Sequence, residues 1–188
     1  MAVTLEKFDW EANWLGNISV KYNYRTVIER SRLFKEQRRA LLSAPSRSIK
    51  ADFVLQSTEV RKFANDIRAL VLQVLAVPIF TEVFTPTEDL QGDTVLNLSQ
   101  TTANYWNLNN SSIILLKSPT LSELKQIQSI GANSITVTSF VVGDFKKATT
   151  RIYPCMPGMI ESRSFGLETV GVVSCELDFR EFFLDWTL

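Results

Sequence analysis

The sequence predicts a mainly β protein of the α+β class with a single packed helix. Two observations lead to this prediction. Apolar and polar residues alternate along several stretches of the chain, as in half-buried strands, whereas one long stretch repeats its apolar residues with the helical period. Hydrophobic residues make up 45% of the 188 residues, which is enough to bury a core in one domain or two small ones.

The first half of the chain contains two alternating stretches. The residues from Ile18 to Ile28 predict one long half-buried strand. A second alternation places Ile49, Ala51, Phe53 and Leu55 on one face and Ser48, Lys50, Asp52 and Val54 on the other. We expect these two strands to pair across the basic segment that separates them.

The stretch from Val60 to Val74 has the helical period. Its apolar residues recur at intervals of three and four, so they form one stripe along a helix that would lie across the first strands. Ser57 or Thr58 is the expected N-cap, and Pro78 is the expected end of the helix.

The remaining sequence predicts short strands and one long final strand. The short strands are expected at Ile79–Phe84, Thr94–Leu98, Ser112–Leu116, Glu123–Ile130 and Ser134–Val142, although residues 122–130 also fit a helix. Val173–Phe179 alternates again and should return to the first sheet. We therefore expect residues 1–84 and 151–188 to form one domain, with residues 85–150 inserted as a small barrel.

The composition points away from most enzymatic chemistry. The chain contains no histidine, which excludes a Ser-His-Asp triad, a Cys-His pair and histidine-containing zinc sites. It has seven glycines and no glycine-rich phosphate-binding motif. We expect no cofactor or metal and no enzymatic activity. The only chemistry left open is that of carboxylates such as Glu82, Glu88 or Asp89.

Two smaller features are expected to be structural. Cys155 and Cys175 are expected to be reduced packing residues and not a disulfide, and Cys155, which lies between Pro154 and Pro157, is expected in a rigid loop. Glu88, Asp89 and Asp93 have no spacing typical of an ion-binding loop and indicate a polar turn.

The charges are strongly separated along a chain of zero net charge. Residues 25–50 carry eight basic and two acidic side chains, a net charge of +6, whereas residues 176–188 carry −3 and the first fourteen residues −2. Opposed patches favour head-to-tail contacts between copies. The interface candidates are Arg30, Arg32, Arg38, Arg39, Arg47, Trp10, Trp14, Glu176, Asp178 and Asp185.

Other interpretations of these residues stay open. The basic segment also fits a solvated loop, and Trp10, Trp14 and Trp186 fit either docking surfaces or rings folded back onto their own core. Recognition of a nucleic-acid sequence is disfavoured by the zero net charge and the absence of a recognised reading motif. The N-terminus has no signal-peptide pattern, and no apolar run is long enough for membrane insertion, so we expect synthesis in a cytoplasm.

A short motif adds a resemblance to a known family. Tyr24-Arg25-Thr26-Val27 is followed by Ser31, by Glu36-Gln37-Arg38-Arg39-Ala40-Leu41, by Pro45 and by Arg47-Ser48-Ile49. This order resembles the opening of structural proteins from bacteriophage tails. The wider order of elements is similar to that of the distal tail proteins of long-tailed phages. That similarity implies a split β-barrel with one packed helix, carrying an inserted OB-like β-barrel.

The resemblance also implies a function. Members of that family form a ring, usually of six copies, that continues the tail tube and joins it to the baseplate hub and the receptor-binding apparatus. The chain would then be a virion protein made in the bacterial cytoplasm, with copies of itself, the tail tube protein and hub proteins as partners. The segment carrying Arg38 and Arg39 resembles the extended loop with which ring subunits overlap their neighbours.

Two alternatives remain beside the distal-tail hypothesis. The chain fits a terminator or adaptor ring at another position in the tail. It also fits a carbohydrate-binding module of a tail tip, in which Tyr105, Trp106 and Asn107 would contact the sugar.

Overall fold

The structure is a computed structural model that describes residues 3–13, 15–23, 26–30, 36–40, 46–100, 112–169, 172–182 and 186–187. These residues form fourteen strands and one helix, which confirms the predicted mainly β fold with a single helix. The strands are β1 (Val3–Thr4), β2 (Glu6–Lys7), β3 (Ile18–Asn23), β4 (Thr26–Arg30), β5 (Glu36–Ala40), β6 (Ser46–Gln56), β7 (Leu75–Pro78), β8 (Val95–Asn97), β9 (Ile113–Lys117), β10 (Ser122–Ile130), β11 (Ser134–Val137), β12 (Arg151–Thr169), β13 (Val172–Glu181) and β14 (Trp186–Thr187). The helix α1 spans Ser57–Leu70.

Ten of these strands form one large sheet. Its order is β3-β6-β13-β12-β9-β10-β11-β8, with β7 paired to β12 and β2 paired to β7. The described pairings are antiparallel except for β2 with β7 and β1 with β14. The remaining strands form two small sheets, β1 with β14 and β4 with β5.

The long strand β12 joins the two halves of the sheet. It pairs first with β9, then with β7 over Cys155–Gly158, and finally with β13. Gly158 is opposite both Leu75 and Glu181, where the ladder changes partner. A Cβ atom there would lie 3.1 Å from the carbonyl oxygen of Arg180, so the close approach of the strands favours glycine.

The expectation of a loop around Cys155 is wrong, because this segment lies within β12. Pro154 and Pro157 donate no hydrogen bond, but their carbonyl oxygens accept bonds of 2.8 Å from the backbone N–H groups of Ile79 and Phe182. The prolines are tolerated because the strand changes ladder partners close to them. Two closely spaced prolines are typical of a loop, so the sequence pattern favoured the wrong structure.

The first predicted strand and the predicted helix have different boundaries in the structure. The alternating run 18–28 is divided between β3 and β4, which belong to different sheets. The helix is capped by Gln56 rather than by Ser57 or Thr58, and the backbone N–H of Gln56 donates to Glu59 at 3.1 Å. It ends at Leu70, well before Pro78, because a turn that begins at Val71 leads into the fully buried strand β7.

The observed strand pairing decides two further predictions, those for residues 79–84 and 122–130. Residues 79–84 form no strand, and a turn begins at Phe80. Residues 122–130 are a strand and not a helix, since β10 pairs with both β9 and β11. Strand pairing therefore overrides the helical spacing of Leu121, Leu124 and Ile127.

The buried apolar residues form two clusters. The first contains the inward-facing residues of β6 and β13, the apolar residues of α1 and the N-terminal Phe8. The second lies among β8, β9, β10, β11 and the segment around Phe84. Strand β9 contributes to both, because Ile113 and Leu115 pack in the first cluster and Ile114 and Leu116 in the second.

The ten-stranded sheet does not close into a barrel of continuous ladders. In its second half, residues 84–87 lie between β12 and the end of β8. Phe84 exchanges two backbone hydrogen bonds of 2.9 Å with Ile152, and Ser99 donates to the Thr85 carbonyl at 3.0 Å. Single bridges thus connect this segment to the strands on both sides. The domain boundaries at residues 84 and 151 stay a prediction.

Candidate assembly surface

The basic segment contains a β-hairpin. Strands β4 and β5 pair over five residues each and form a sheet of their own, outside the ten-stranded sheet. Within this hairpin, Arg38 is opposite Ile28, Arg39 is opposite Val27 and Arg30 is opposite Glu36. Arg32 lies outside the described residues. The segment that was expected to be an extended loop therefore forms a β-hairpin over the described residues.

The hairpin begins at one end of the β3–β6 ladder. The last pair of that ladder joins Asn23 to Ser46, and β4 follows Asn23 after two residues. At the opposite end of the ladder, Ile18 pairs with Ala51. The hairpin therefore follows one end of the ladder, and strand β3 begins at the other end.

Arg47 is held at the base of the hairpin by an ion pair within its own chain. Its Nε donates to Glu181 at 2.8 Å and its backbone N–H donates to the same carboxylate at 2.7 Å. The Nη2 atom forms a further contact with Glu181. The carboxylate is largely buried, so this pair fixes β6 against β13. The pattern of charges along the sequence did not identify Glu181 as the partner of Arg47.

Glu176 and Asp178 lie on the face of β13 that points away from the first core. Glu176 pairs with Lys50 of β6 at 2.7 Å, and its hydrogen bond is the main cause that raises the pKa of Lys50. Asp178 accepts a hydrogen bond from the hydroxyl of Ser162. Both carboxylates are half-exposed, as expected for an acidic surface. Asp185 lies outside the described residues.

A groove of about 460 Å³ lies beside this acidic face. Its lining includes the carboxylates of Asp52 and Glu176, the hydroxyls of Ser164 and Ser174, and the apolar side chains of Leu15 and Val54. Leu15 is 97% exposed and Val54 45% exposed. In the sequence, Val54 is the apolar residue on the otherwise polar face of its alternating strand. This was the only feature of the sequence that indicated the groove.

The turn that forms one wall of the groove is fixed to Asp52. The backbone N–H of Asn13 donates to the Asp52 carbonyl at 2.7 Å, and that of Asn17 donates to its carboxylate at 2.8 Å. A Cβ atom at Gly16 would lie 2.9 Å from Cβ of Asp52, so this wall approaches β6 more closely than another residue would allow.

Trp10 is folded back onto its own chain. Its ring packs edge-on against Phe63 of α1, with centroids 4.9 Å apart, and its Nε1 donates to Asp66 at 3.2 Å. Lys62 lies over the ring, 5.6 Å from its centroid. This side chain therefore ties the N-terminal segment to α1. Trp14 and residues 105–107 lie outside the described residues, and the backbone of Trp186 pairs with Val3.

The carboxylates of the predicted polar turn have local partners. Glu88 accepts from the Asn97 amide at 2.7 Å, and Asp93 accepts from the backbone N–H of Gln91 at 2.9 Å. A hydrogen bond of 2.9 Å from the backbone of Lys147 lowers the pKa of Asp89. These contacts hold the turn together.

Both cysteines are buried and not disulfide-bonded. Burial raises the pKa of the Cys155 thiol well above its usual range and that of Cys175 to about 11. Both thiols therefore stay protonated at neutral pH, which makes them poor nucleophiles. Their packing role agrees with the sequence-based expectation.

The structure also contains a loop that the sequence analysis missed. Lys125 is buried, pairs with Glu123 at 2.6 Å and donates to the carbonyl of Phe140. Glu123 in turn accepts from the backbone N–H groups of Val142 and Gly143. Phe140 and Val142 are nevertheless 66% and 79% exposed. The buried ion pair thus fixes a loop that presents apolar side chains to solvent.

In the described part of the chain, no three His, Cys, Asp or Glu side chains come together in a way that would hold a metal ion. Over the same residues, no helix has the length and apolar character needed to cross a membrane. Glu82 is buried, and its backbone N–H donates to the Ile79 carbonyl at 2.9 Å.

Comparison with known proteins adds no assignment. No protein-family model matches the chain, and no curated protein sequence matches it.

Proposed function

We propose that this chain is a non-enzymatic structural subunit that assembles head to tail into a closed ring in the tail of a bacteriophage. The proposed position is the distal end, where the ring continues the tail tube and connects it to the baseplate hub and receptor-binding proteins. The proposed ring contains six copies. The support from the structure is the arrangement of the basic hairpin, the acidic sheet face and the edge strand β3.

The two-stranded hairpin carries the proposal. An isolated two-stranded hairpin is at best marginally stable in water, because its few cross-strand pairs do not offset the entropy of ordering the chain. Strands β4 and β5 pair with each other and not with the ten-stranded sheet. A partner surface on another subunit would supply contacts to this hairpin beyond the pairing of its two strands.

The edge strand β3 gives further support. It pairs with β6 on one side, and no strand among the described residues pairs with its other side. An open edge is a template for pairing with another chain, and closure of a ring removes that hazard. Lateral strand pairing between subunits therefore fits the same assembly.

The separation of charge fits head-to-tail assembly. The basic hairpin and the acidic face of β13 are different surfaces, so a contact between them is heterologous when it passes from each copy to the next and is not returned between the same two copies. A heterologous contact repeats from copy to copy and ends only when a ring closes. The lack of any imidazole in the sequence supports a structural rather than an enzymatic role.

The charge reversal Arg38→Glu with Arg39→Glu tests the assembly. We expect the unaltered chain to form a ring by native mass spectrometry and electron microscopy, and the variant to associate at least about tenfold more weakly. The matched control is Arg61→Glu with Arg68→Glu, which makes the same charge change at exposed positions of α1. Equal association of the two variants, or a chain that stays monomeric, would contradict the proposal.

Cryo-electron microscopy of phage particles whose genome encodes this chain tests the location. We expect density for a ring at the distal end of the tail. A ring elsewhere along the tail would favour a terminator or adaptor, and absence of the chain from the particle would contradict a virion role.

A further inference from the structure

We infer that the groove beside Asp52 is the site that accepts the β4–β5 hairpin of a second copy of this chain. The inference rests on the proposed head-to-tail assembly and adds to it the surface at which the hairpin is bound. That surface was not among the interface residues expected from the sequence, apart from Glu176.

The groove combines negative charge with apolar surface. Asp52 and Glu176 supply carboxylates, of which Glu176 is also paired with Lys50 at 2.7 Å. Ser164 and Ser174 supply hydroxyls, and Leu15 and Val54 supply apolar contacts. Leu15 and Val54 are unusually exposed for large aliphatic residues. A suitable occupant therefore carries cationic groups next to aliphatic ones.

The hairpin has this composition. Its backbone register brings Arg38 opposite Ile28 on one face of the hairpin and Arg39 opposite Val27 on the other, so each face has one arginine position beside a β-branched aliphatic position. Guanidinium groups form strong, directional hydrogen bonds with carboxylates. The face with Arg38 and Ile28, which also carries the opposed positions Arg30 and Glu36, therefore matches the carboxylates and apolar residues of the groove.

The geometry of the ladder favours a second copy as the donor of the hairpin. The hairpin follows the end of the ladder where Asn23 pairs with Ser46. Because a strand rises about 3.3 Å per residue, Asp52 lies about 20 Å along β6 from Ser46. The hairpin and the groove of one chain are therefore at opposite ends of the same ladder, as a head-to-tail contact requires.

The groove is also held in shape before binding. Its wall is fixed by the bonds from Asn13 and Asn17 to Asp52, and its floor is part of the continuous ladder between β6 and β13. A surface that is already ordered loses little entropy on binding, which favours association with an extended strand pair.

Photocrosslinking of the full-length chain tests the inference. A photoreactive amino acid replaces Val54, and the matched control replaces Leu72, an exposed aliphatic residue just beyond α1. Isotopically labelled and unlabelled copies are mixed, so that mass spectrometry separates crosslinks between copies from those within one chain. We expect position 54, and not position 72, to crosslink between copies to residues 26–30 or 36–40.

A charge exchange provides the second test. Glu176→Lys should weaken association about tenfold, and combination with Arg38→Glu should recover most of that loss. Val54→Lys should weaken association to a similar degree, and it removes no hydrogen bond described in the structure. Circular dichroism and thermal melting confirm that each variant is folded.

The outcomes separate this inference from the proposed function. A ring whose position 54 crosslinks elsewhere, or only within one chain, overturns the groove assignment and leaves the ring proposal intact. A ring whose association is unchanged by Val54→Lys does the same. A chain that does not associate overturns both.

Discussion

Lys125 and Glu123 show how individual charged residues stabilise the second half of this molecule. The Lys125 side chain is only 6% exposed, and its ammonium group bonds to Glu123 and to the loop that contains Ser139 and Phe140. Burial of a charge is costly unless it is paired, so loss of either partner leaves the other in an unfavourable environment.

Glu123→Ala should therefore lower the free energy of unfolding by about 3 kcal/mol, as measured by urea denaturation. The double variant Glu123→Ala with Lys125→Met should lose less, because no unpaired charge stays buried. Lys146→Ala removes exposed ion pairs with Asp89 and Asp144 and should change stability by less than about 1 kcal/mol. Equal losses in the single and double variants would argue against a buried-charge effect.

Tyr153 is expected to make the stability of the folded chain depend on pH. Its hydroxyl donates to Glu11 at 3.1 Å, and burial is the largest cause that raises its pKa above the ordinary value of 10.0. The unfolded chain releases this proton first as the pH rises. Stability due to Tyr153 is therefore complete below pH 10.0 and falls at higher pH.

Tyr153→Phe should remove this part of the alkaline loss of stability. We expect the difference in unfolding free energy between the wild-type chain and the variant to become smaller as the pH is raised beyond 10.0. Thermal or urea unfolding at several pH values measures it. A difference that is independent of pH would show that the phenol does not titrate in this way.

At the scale of elements, the stability of helix α1 depends on both its N-terminal cap and its buried face. Phe63 is fully buried and packs against Trp10 and Phe53, which secures the helix on the sheet. The N-terminal cap is formed by Gln56 and Glu59, although the side chains of Ser57 and Thr58 are more usual at this position.

Glu59→Ala should lower the free energy of unfolding by about 1 kcal/mol, because the backbone N–H of Gln56 loses its acceptor. Urea denaturation measures the change. Arg61→Ala, at an exposed position of the same helix, serves as the control and should have a smaller effect. A larger loss for Arg61→Ala would contradict the assigned cap.

At the scale of the whole molecule, the two apolar clusters share structural elements. Ile113 and Leu115 of β9 pack in the first cluster, while Ile114 and Leu116 pack in the second. The N-terminal segment adds connections across the molecule, since Lys7 donates to Ser122 at 2.7 Å and Asp9 pairs with Lys117 at 2.9 Å.

We therefore expect the chain to unfold in one cooperative transition, because neither cluster is complete without β9. Differential scanning calorimetry should give a calorimetric enthalpy equal to the van't Hoff enthalpy. Two separate transitions would instead support an inserted domain that folds independently over residues 85–150.

The sequence by itself determined the faces of strands β6 and β13 and the presence of one helix. Inward residues such as Phe53 and Leu177 and outward residues such as Asp52 and Glu176 lie on the faces that alternation predicted. These features are local, because a residue's face follows from the two-residue period of a strand. The packing role of the cysteines was also predictable, since free cysteine is commonly buried.

Tertiary structure alone decided the features that depend on distant partners. Strand β12 accommodates two prolines because β9, β7 and β13 pair with it in succession, and β10 is a strand because it lies between β9 and β11. The Arg47–Glu181 pair and the groove beside Asp52 likewise join residues far apart in sequence. Such contacts follow from the arrangement of the whole chain, which local periodicity does not encode.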